Sequence, residues 1–187
     1  MRFNSIVRNY DEYLEYLKGK KVAMVCNGPC ILERNDGELI DSMDVVIRFN
    51  QGYPEGREQH VGKRTDVVMM AIKGDVDLTK YPDMKVLVGA TGVWGITEDD
   101  VDFVSRPHWS KEFLAELGKY HGHPSSGCVM AWIAIDAGAS EIHVFGHDLG
   151  DKRTWHSGVQ CKAHDYDKED EIYRRHAEDK GVPLFFH

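Results

Sequence analysis

Cysteine is scarce in this chain, with four residues in 187. Cys26 and Cys30 form a CxxxC pair, and Cys128 and Cys161 stand alone, so no zinc-finger spacing is present. The N-terminus lacks the apolar stretch of a secretion signal, which sets the expectation of a reducing cytoplasm and free thiols. No run approaches the roughly 18 apolar residues that a membrane-spanning helix needs, so no membrane partner is expected. Positive charge is also in short supply: 23 Lys and Arg face 31 Asp and Glu, for a net charge of −8. That balance argues against a protein built to grip nucleic-acid backbone, because nothing provides a large cationic field. A local basic patch at Arg57, Lys63 and Arg64 keeps a small nucleic-acid contact open. A nucleotide pocket needs far less, only a few cations or amide groups. The GxGxxG dinucleotide fingerprint is absent, and so are repeats, low-complexity tracts and linkers. With 42% hydrophobic residues, residues 1–187 are expected to form a single domain with a full core.

What is present alternates in a regular way. Short apolar runs, "KVAMVC", "DVVIRF", "DVVMMAI", "KVLVGA" and "EIHVFG", read as five buried parallel strands, and "PLFFH" as a terminal one. Helical spacing marks "RNYDEYLEYLKG", where Tyr10, Leu14 and Leu17 share a face and Gly19 is the stop. "DGELIDS", "PHWSKEFLAELGKY", "SGCVMAWIAIDAGA" and "DKEDEIYRRHAEDKG" read as further helices. Strands alternating with helical crossovers predict an α/β, single-domain, Rossmann-like fold: a mostly parallel sheet with helices on both faces. Such sheets bind ligands beyond the carboxyl ends of their strands. The segments "NGPC", "NQG" and "GHDLG" fall there.

In "VAMVCNGPC" the strand ends at Asn27-Gly28-Pro29, where amide N–H groups are placed to face a phosphate. An ordinary tight turn explains the same residues. In "IDSMDVVIRFNQG", Asp41 and Asp44 are placed to pin a turn, and Arg48 alternates out of its strand. Arg48 serves either a ligand or an ion pair with Asp41 or Asp44. Asn50 offers a donor and an acceptor to a ribose or base edge. In "HPSSGCVMAW", Ser125 or Ser126 is a helix cap, and the N–H groups that follow form an anion site or simply a capped terminus. In "TWHSGVQCKAHDYDKEDE", His156 and His164 can exchange protons near neutral pH, and Glu169 is placed to steady His164. The pairs His147-Asp148 and His164-Asp165 leave a metal reading open, although no ligand spacing supports it, and no metal is expected. Tyr53, Trp94 and Trp109 are candidates for stacking on a sugar ring.

Taken in order, these motifs resemble the animal-type sialyltransferases, glycosyltransferase family 29. The large sialylmotif resembles Val22 to Asp66, the small one "HPSSGCVMAWIAIDAGASEIHVFG", the third "TWHSG" and the very small one "HDYDKE". The resemblance implies a Rossmann-type variant of the GT-A fold. It implies a CMP-activated donor, usually CMP-sialic acid, and inverting, metal-independent transfer to an acceptor hydroxyl with no cofactor. By position, Asn27, Gly28 and Asn50 would hold the CMP, and Ser125, Ser126 and Gly127 would meet the nucleotide. His156 would bind the donor phosphate, His164 would be the base, and Glu169 and Arg48 would support the site. Val22 and Ala139 stand where the family places a disulfide, and Cys26 replaces a glycine. The third motif is truncated and the chain is short, which suggests missing acceptor loops and a compact, soluble bacterial or viral-type member. A CMP-sugar or nucleotide hydrolase on the same pocket, or a nucleotide-binding module without catalysis, are the competing expectations.

Overall fold

The computed structural model describes residues 5–7, 9–70, 76–89, 104–105, 115, 124–147, 153–158 and 164–187. Helix α1, Tyr10–Leu17, is capped by Asn9, whose Oδ1 accepts the Glu12 N–H at 2.9 Å. Gly19 then turns the chain at φ +67°, a conformation that suits glycine. Strand β1, Lys21–Val25, is followed by a 3₁₀ turn, Pro29–Glu33, and by α2, Gly37–Asp41. Next come β2, Val45–Phe49, α3, Glu58–Val61, β3, Val67–Met70, and a second 3₁₀ turn, Leu78–Lys80. The remaining elements are β4, Val86–Gly89, β5, Val104–Ser105, α4, Ser126–Asp136, β6, Glu141–Phe145, α5, Tyr166–Lys180, and β7, Leu184–Phe186.

All the strand pairings are parallel, in the order β5-β4-β3-β2-β1-β6-β7. The chain walks outward from β1 to β5, then returns to lay β6 on the other side of β1. That reversal opens a crevice at the carboxyl ends of β1 and β6. Alternate residues of β1 feed two cores. Val22 and Met24 pack with α1, α4 and α5, whereas Ala23 and Val25 pack with Ile31, Ile40 and Val61 on the other face. The α/β sheet with helices on both faces is therefore as expected. Of the expected helix at 107–120 only Ala115 is described, and it is helical; the other positions, with Trp94, Trp109 and Cys161, lie outside the described residues. The short α3, the two 3₁₀ turns and β5 carry too little periodicity to be read from sequence.

Two expectations about arginine need correction. Arg48 does not alternate outward; it is fully buried, because β2 lies inside the sheet with both faces covered. Its Nη2 donates to the carbonyls of Val61, Gly62 and Arg64 at 2.8, 3.0 and 2.8 Å, and Nε donates to Thr65 Oγ1 at 2.9 Å. Burial lowers its pKa to about 10. The carboxylates of Asp41 and Asp44 accept backbone N–H groups instead, from Lys63 and Arg64, and from Lys21. They pin turns, as expected. Arg64, read as part of a basic patch, turns inward to the carbonyls of Asp41, Met43 and Asp44 and to the Asp66 carboxylate. Cys26, Cys30 and Cys128 are free thiols. Val22 and Ala139 are buried in one apolar cluster, so packing occupies the place of a crosslink.

Candidate active site

A cleft of about 270 Å³ opens at the switch point. It is lined by Cys26, Asn27 and Gly28 just after β1, and by Asn50 just after β2. The start of α4 contributes Ser125, Ser126 and Gly127; the β6 end contributes Gly146 and His147, and α5 contributes Glu169 and Tyr173, with His164 just before it. Met24, Phe49, Met69 and Val144 form its apolar floor.

The β1 side is wired by backbone. Gly28 N–H donates to the Gly146 carbonyl at 2.9 Å, and Trp155 N–H donates to the Asn27 carbonyl at 2.8 Å. Asn27 Nδ2 donates to the Phe49 carbonyl at 3.1 Å, which fixes its amide plane. Gly52 makes room for that plane, since a Cβ there would lie 2.6 Å from Asn27 Oδ1. Asn50 sits at φ +50°, a left-handed conformation that asparagine tolerates better than most residues. Its N–H donates to Met69 O at 2.9 Å, and its carbonyl accepts from the Tyr81 hydroxyl at 2.8 Å. Burial pushes the Cys26 thiol, at the same edge, up to about 12, so it stays neutral.

Ser125 caps α4. Its Oγ accepts the Cys128 N–H at 3.1 Å and donates to Glu169 Oε2 at 2.5 Å, and its N–H donates to Glu169 Oε1 at 2.9 Å. The hydroxyl is thus committed to the scaffold. Among the described residues, no hydrogen bond takes the Ser126 and Gly127 N–H groups at the helix start, and both residues line the cleft. Glu169 is buried, and its Oε1 also faces His164 Nδ1 at 3.8 Å. Asp165 caps α5 by accepting the Lys168 N–H at 3.3 Å, which sets the helix start beside the imidazole.

The structure therefore brings together Asn27, Gly28, Asn50, Ser125, Ser126, Gly127, His164 and Glu169. It does not place Arg48 or His156 among the lining residues. His156 stands edge-on to Trp155 with ring centroids 5.4 Å apart, and burial lowers its pKa from the ordinary 6.5, leaving it neutral at pH 7. Its neighbours Arg153 and Thr154 reach the cleft instead. Trp155 packs under the Arg57 guanidinium at 5.0 Å. Tyr53 pairs with Tyr81, and its hydroxyl accepts the Asp77 N–H at 2.6 Å, so its role is packing rather than stacking on a ligand. No cluster of three metal-ligating side chains occurs among the described residues. Sequence reasoning missed Gly52, whose need appears only once Asn27 is placed. It also missed the partnership of His147 with Asp170 and Tyr173, since adjacency suggested Asp148 instead.

Residues 5–86 match the family model of glycosyltransferase family 29 (sialyltransferase). That segment holds Asn27, Gly28 and Asn50 and stops before α4. The type 2 lactosamine alpha-2,3-sialyltransferase of Homo sapiens is 43% identical over 56 residues, 30% of this chain and only 17% of that relative. Its counterpart in Rattus norvegicus is 46% identical over 46 residues, 25% of this chain and 14% of that one. A crystal structure of a mammalian sialyltransferase superposes with a TM-score of 0.58 at 20% identity, covering 89% of this chain and 68% of that one. The sialyltransferase CstII from Campylobacter jejuni, in complex with cytidine-5'-monophosphate, gives 0.55 at 17% identity, covering 90% of this chain and 80% of that one. At such identities the likeness is one of fold. No helix among the described residues is long and apolar enough to cross a membrane.

Proposed function

We propose that this protein is a family 29 glycosyltransferase that moves a sugar from a CMP-activated donor, CMP-sialic acid, to an acceptor hydroxyl. The observation that carries the proposal is the convergence in one cleft of Asn27, Asn50, the α4 N-terminus and the His164–Glu169 pair. The parallel sheet is assigned to the Rossmann-type GT-A variant, and residues 1–187 to one transferase domain. Asn27 and Asn50 read the ribose or cytosine, the first with an amide held by the Phe49 carbonyl and the second from a backbone held by Met69 and Tyr81. The Ser126 and Gly127 N–H groups take the phosphate, aided by the helix dipole. A CMP leaving group carries a single phosphate, so these donors replace a metal ion, and the donor needs no cofactor.

In the transfer, the acceptor oxygen bonds to the anomeric carbon as the bond from that carbon to the CMP phosphate oxygen breaks. The acceptor proton passes to His164, and the departing electron pair stays on CMP. Attack opposite the leaving group inverts the anomeric centre through an oxocarbenium-like state. Glu169 orients His164 while holding Ser125. His156, neutral at pH 7, hydrogen-bonds the phosphate if the donor draws it in, but adds no charge.

Calorimetric titration with CMP, CDP, UMP and AMP in EDTA tests the donor site, followed by turnover of CMP-sialic acid with a panel of sugar acceptors. Selective micromolar CMP binding without metal, and sialic acid appearing on an acceptor, are expected. Binding that needs a divalent ion rejects the metal-free scheme. Release of free sialic acid in the presence of every acceptor identifies a hydrolase instead.

A further inference from the structure

One titratable cluster in the cleft has no part in the scheme above. His147 follows the φ +66° turn at Gly146 and lines the cleft. Its Nε2 lies 3.2 Å from Asp170 Oδ1 and 3.2 Å from the Tyr173 hydroxyl. Tyr173 donates to the same Oδ1 at 2.7 Å, and Arg174 Nε donates to Oδ2 at 2.5 Å. Burial raises the Asp170 pKa, but the hydrogen bonds from His147, Arg174 and Tyr173 outweigh it and hold the group at about 2. Burial, and then Asp170, push the Tyr173 phenol far above its ordinary 10, so it remains a donor.

An ionised carboxylate only accepts hydrogen bonds, so Nε2 carries a proton. Nδ1 is left as the nitrogen that can meet a ligand, and it has no hydrogen-bond partner among the described residues. The ring is held edge-on to Tyr173 and tilted against Phe186, at centroid distances of 6.1 and 5.6 Å. From α5 it faces Asp170, Tyr173 and Arg174. From β7 it meets apolar Phe186, and Cys26, which follows β1 beside the same Tyr173, is a neutral thiol. Among the described lining residues, only His147, Arg153 and His164 are basic, and His164 faces Glu169.

We propose that His147 is a ligand-binding residue, whose protonated ring donates Nδ1–H to an anionic oxygen, phosphate or carboxylate, of the nucleotide-sugar. Asp170 and Tyr173 are its positioning residues. The assignment rests on the CMP-donor reading and deepens it. Arg174 already pairs with the fixed Asp170 carboxylate, so an imidazolium between that carboxylate and the ligand anion offsets one negative charge, in a chain whose net charge is −8.

The test is titration of wild type and His147→Gln with CMP, cytidine and a non-transferable 3-fluoro analogue of CMP-sialic acid, at pH 6 and pH 8. Wild type is expected to bind the analogue, whose phosphodiester and carboxylate keep their charge between these pH values, more tightly at pH 6. The variant should lose roughly 10–100-fold there, as for one charged hydrogen bond, and most of the pH dependence. Loss toward CMP with cytidine unchanged identifies the phosphate. Loss toward the analogue alone identifies the carboxylate. A pH effect left in the variant toward CMP alone belongs to the second ionisation of the CMP phosphate, at about pH 6, which the phosphodiester analogue lacks. If wild type binds CMP and the analogue but His147→Gln matches it at both pH values, the His147 assignment falls and the donor reading stands. If neither binds wild type, both fall. Should the variant fail to fold, ¹⁵N-imidazole spectra of wild type decide: a His147 Nδ1 signal unmoved at ligand saturation overturns the proposal.

Discussion

The two walls of the cleft are built on different principles. The β1–β2 wall presents the amides of Asn27 and Asn50 on a tied frame: Asn27 Nδ2 donates to Phe49, and the backbone N–H groups of Gly28 and Asn50 donate to Gly146 and Met69. The β6–α5 wall presents imidazoles, each steered by an acid of α5: His164 by Glu169 and His147 by Asp170. Preformed amides recognise shape and hydrogen-bond pattern at little cost in ordering, because their freedom is lost on folding. Imidazole–carboxylate pairs manage charge and protons. Even the two pairs differ. His164 lies 3.8 Å from a Glu169 that is already engaged by Ser125, whereas His147 lies 3.2 Å from an Asp170 shared with Tyr173 and Arg174. The loose pair is suited to receive a proton and the tight one to hold a charge.

The largest effect that separates the walls is expected from His164→Ala. Turnover of CMP-sialic acid should fall about 10²–10⁴-fold, while the calorimetric CMP affinity stays near that of wild type. Parallel loss of both would move His164 to the binding wall. Glu169→Gln comes next. A buried acceptor of two Ser125 hydrogen bonds becomes a group that must also donate, so thermal unfolding should show a loss of about 1–3 kcal/mol. Unchanged stability would show that Glu169 serves His164 alone.

On the amide wall, Asn50→Ala removes a side chain and also strains a backbone at φ +50°. Asn50→Gly removes only the side chain. Both should weaken CMP binding by about tenfold, the scale of one lost hydrogen bond, and only the alanine variant should also melt earlier. Affinity retained in the glycine variant would assign Asn50 to turn geometry. The smallest effect concerns acid. The Asp170 pKa lies near 2 in the folded protein, against an ordinary 3.8. Its stabilisation is therefore complete above about pH 4 and lost as pH falls toward 2. Chemical denaturation across that window should show a shallower acid loss for Asp170→Asn than for wild type. Equal slopes would mean that the cluster contributes nothing to folding.

Much of this architecture was legible because the physics behind it is local. Continuous apolar runs became buried parallel strands, Ser125 became a cap, Gly19 and Gly181 ended helices at positive φ, and Asp41 and Asp44 pinned turns. The site motifs were legible for a related reason: in a parallel sheet, whatever follows a strand stands at its carboxyl end. Polar side chains were read less well. Arg48 and Arg64 look like surface cations in sequence, yet they spend their donors on carbonyls of loops 13 to 23 residues away. His156 looked like a lining residue but lies beside Trp155, and the neighbouring Arg153 and Thr154 reach the cleft.

The sequence by itself determined the long strands and helices among the described residues, apart from the short α3, the 3₁₀ turns and β5, and which turns lie at one edge of the sheet. Periodicity, caps and glycine act within a few residues, so no knowledge of the rest of the chain is needed. Only the tertiary structure decided which polar groups serve the scaffold and which serve a ligand. Ser125 and Ser126 are adjacent and chemically identical. The docking of α5, 44 residues further on, commits the first hydroxyl to Glu169, whereas among the described residues no such bond takes Ser126, which lines the cleft. A hydrogen bond depends on which groups meet in space, and that is settled when β6 and α5 pack beside β1.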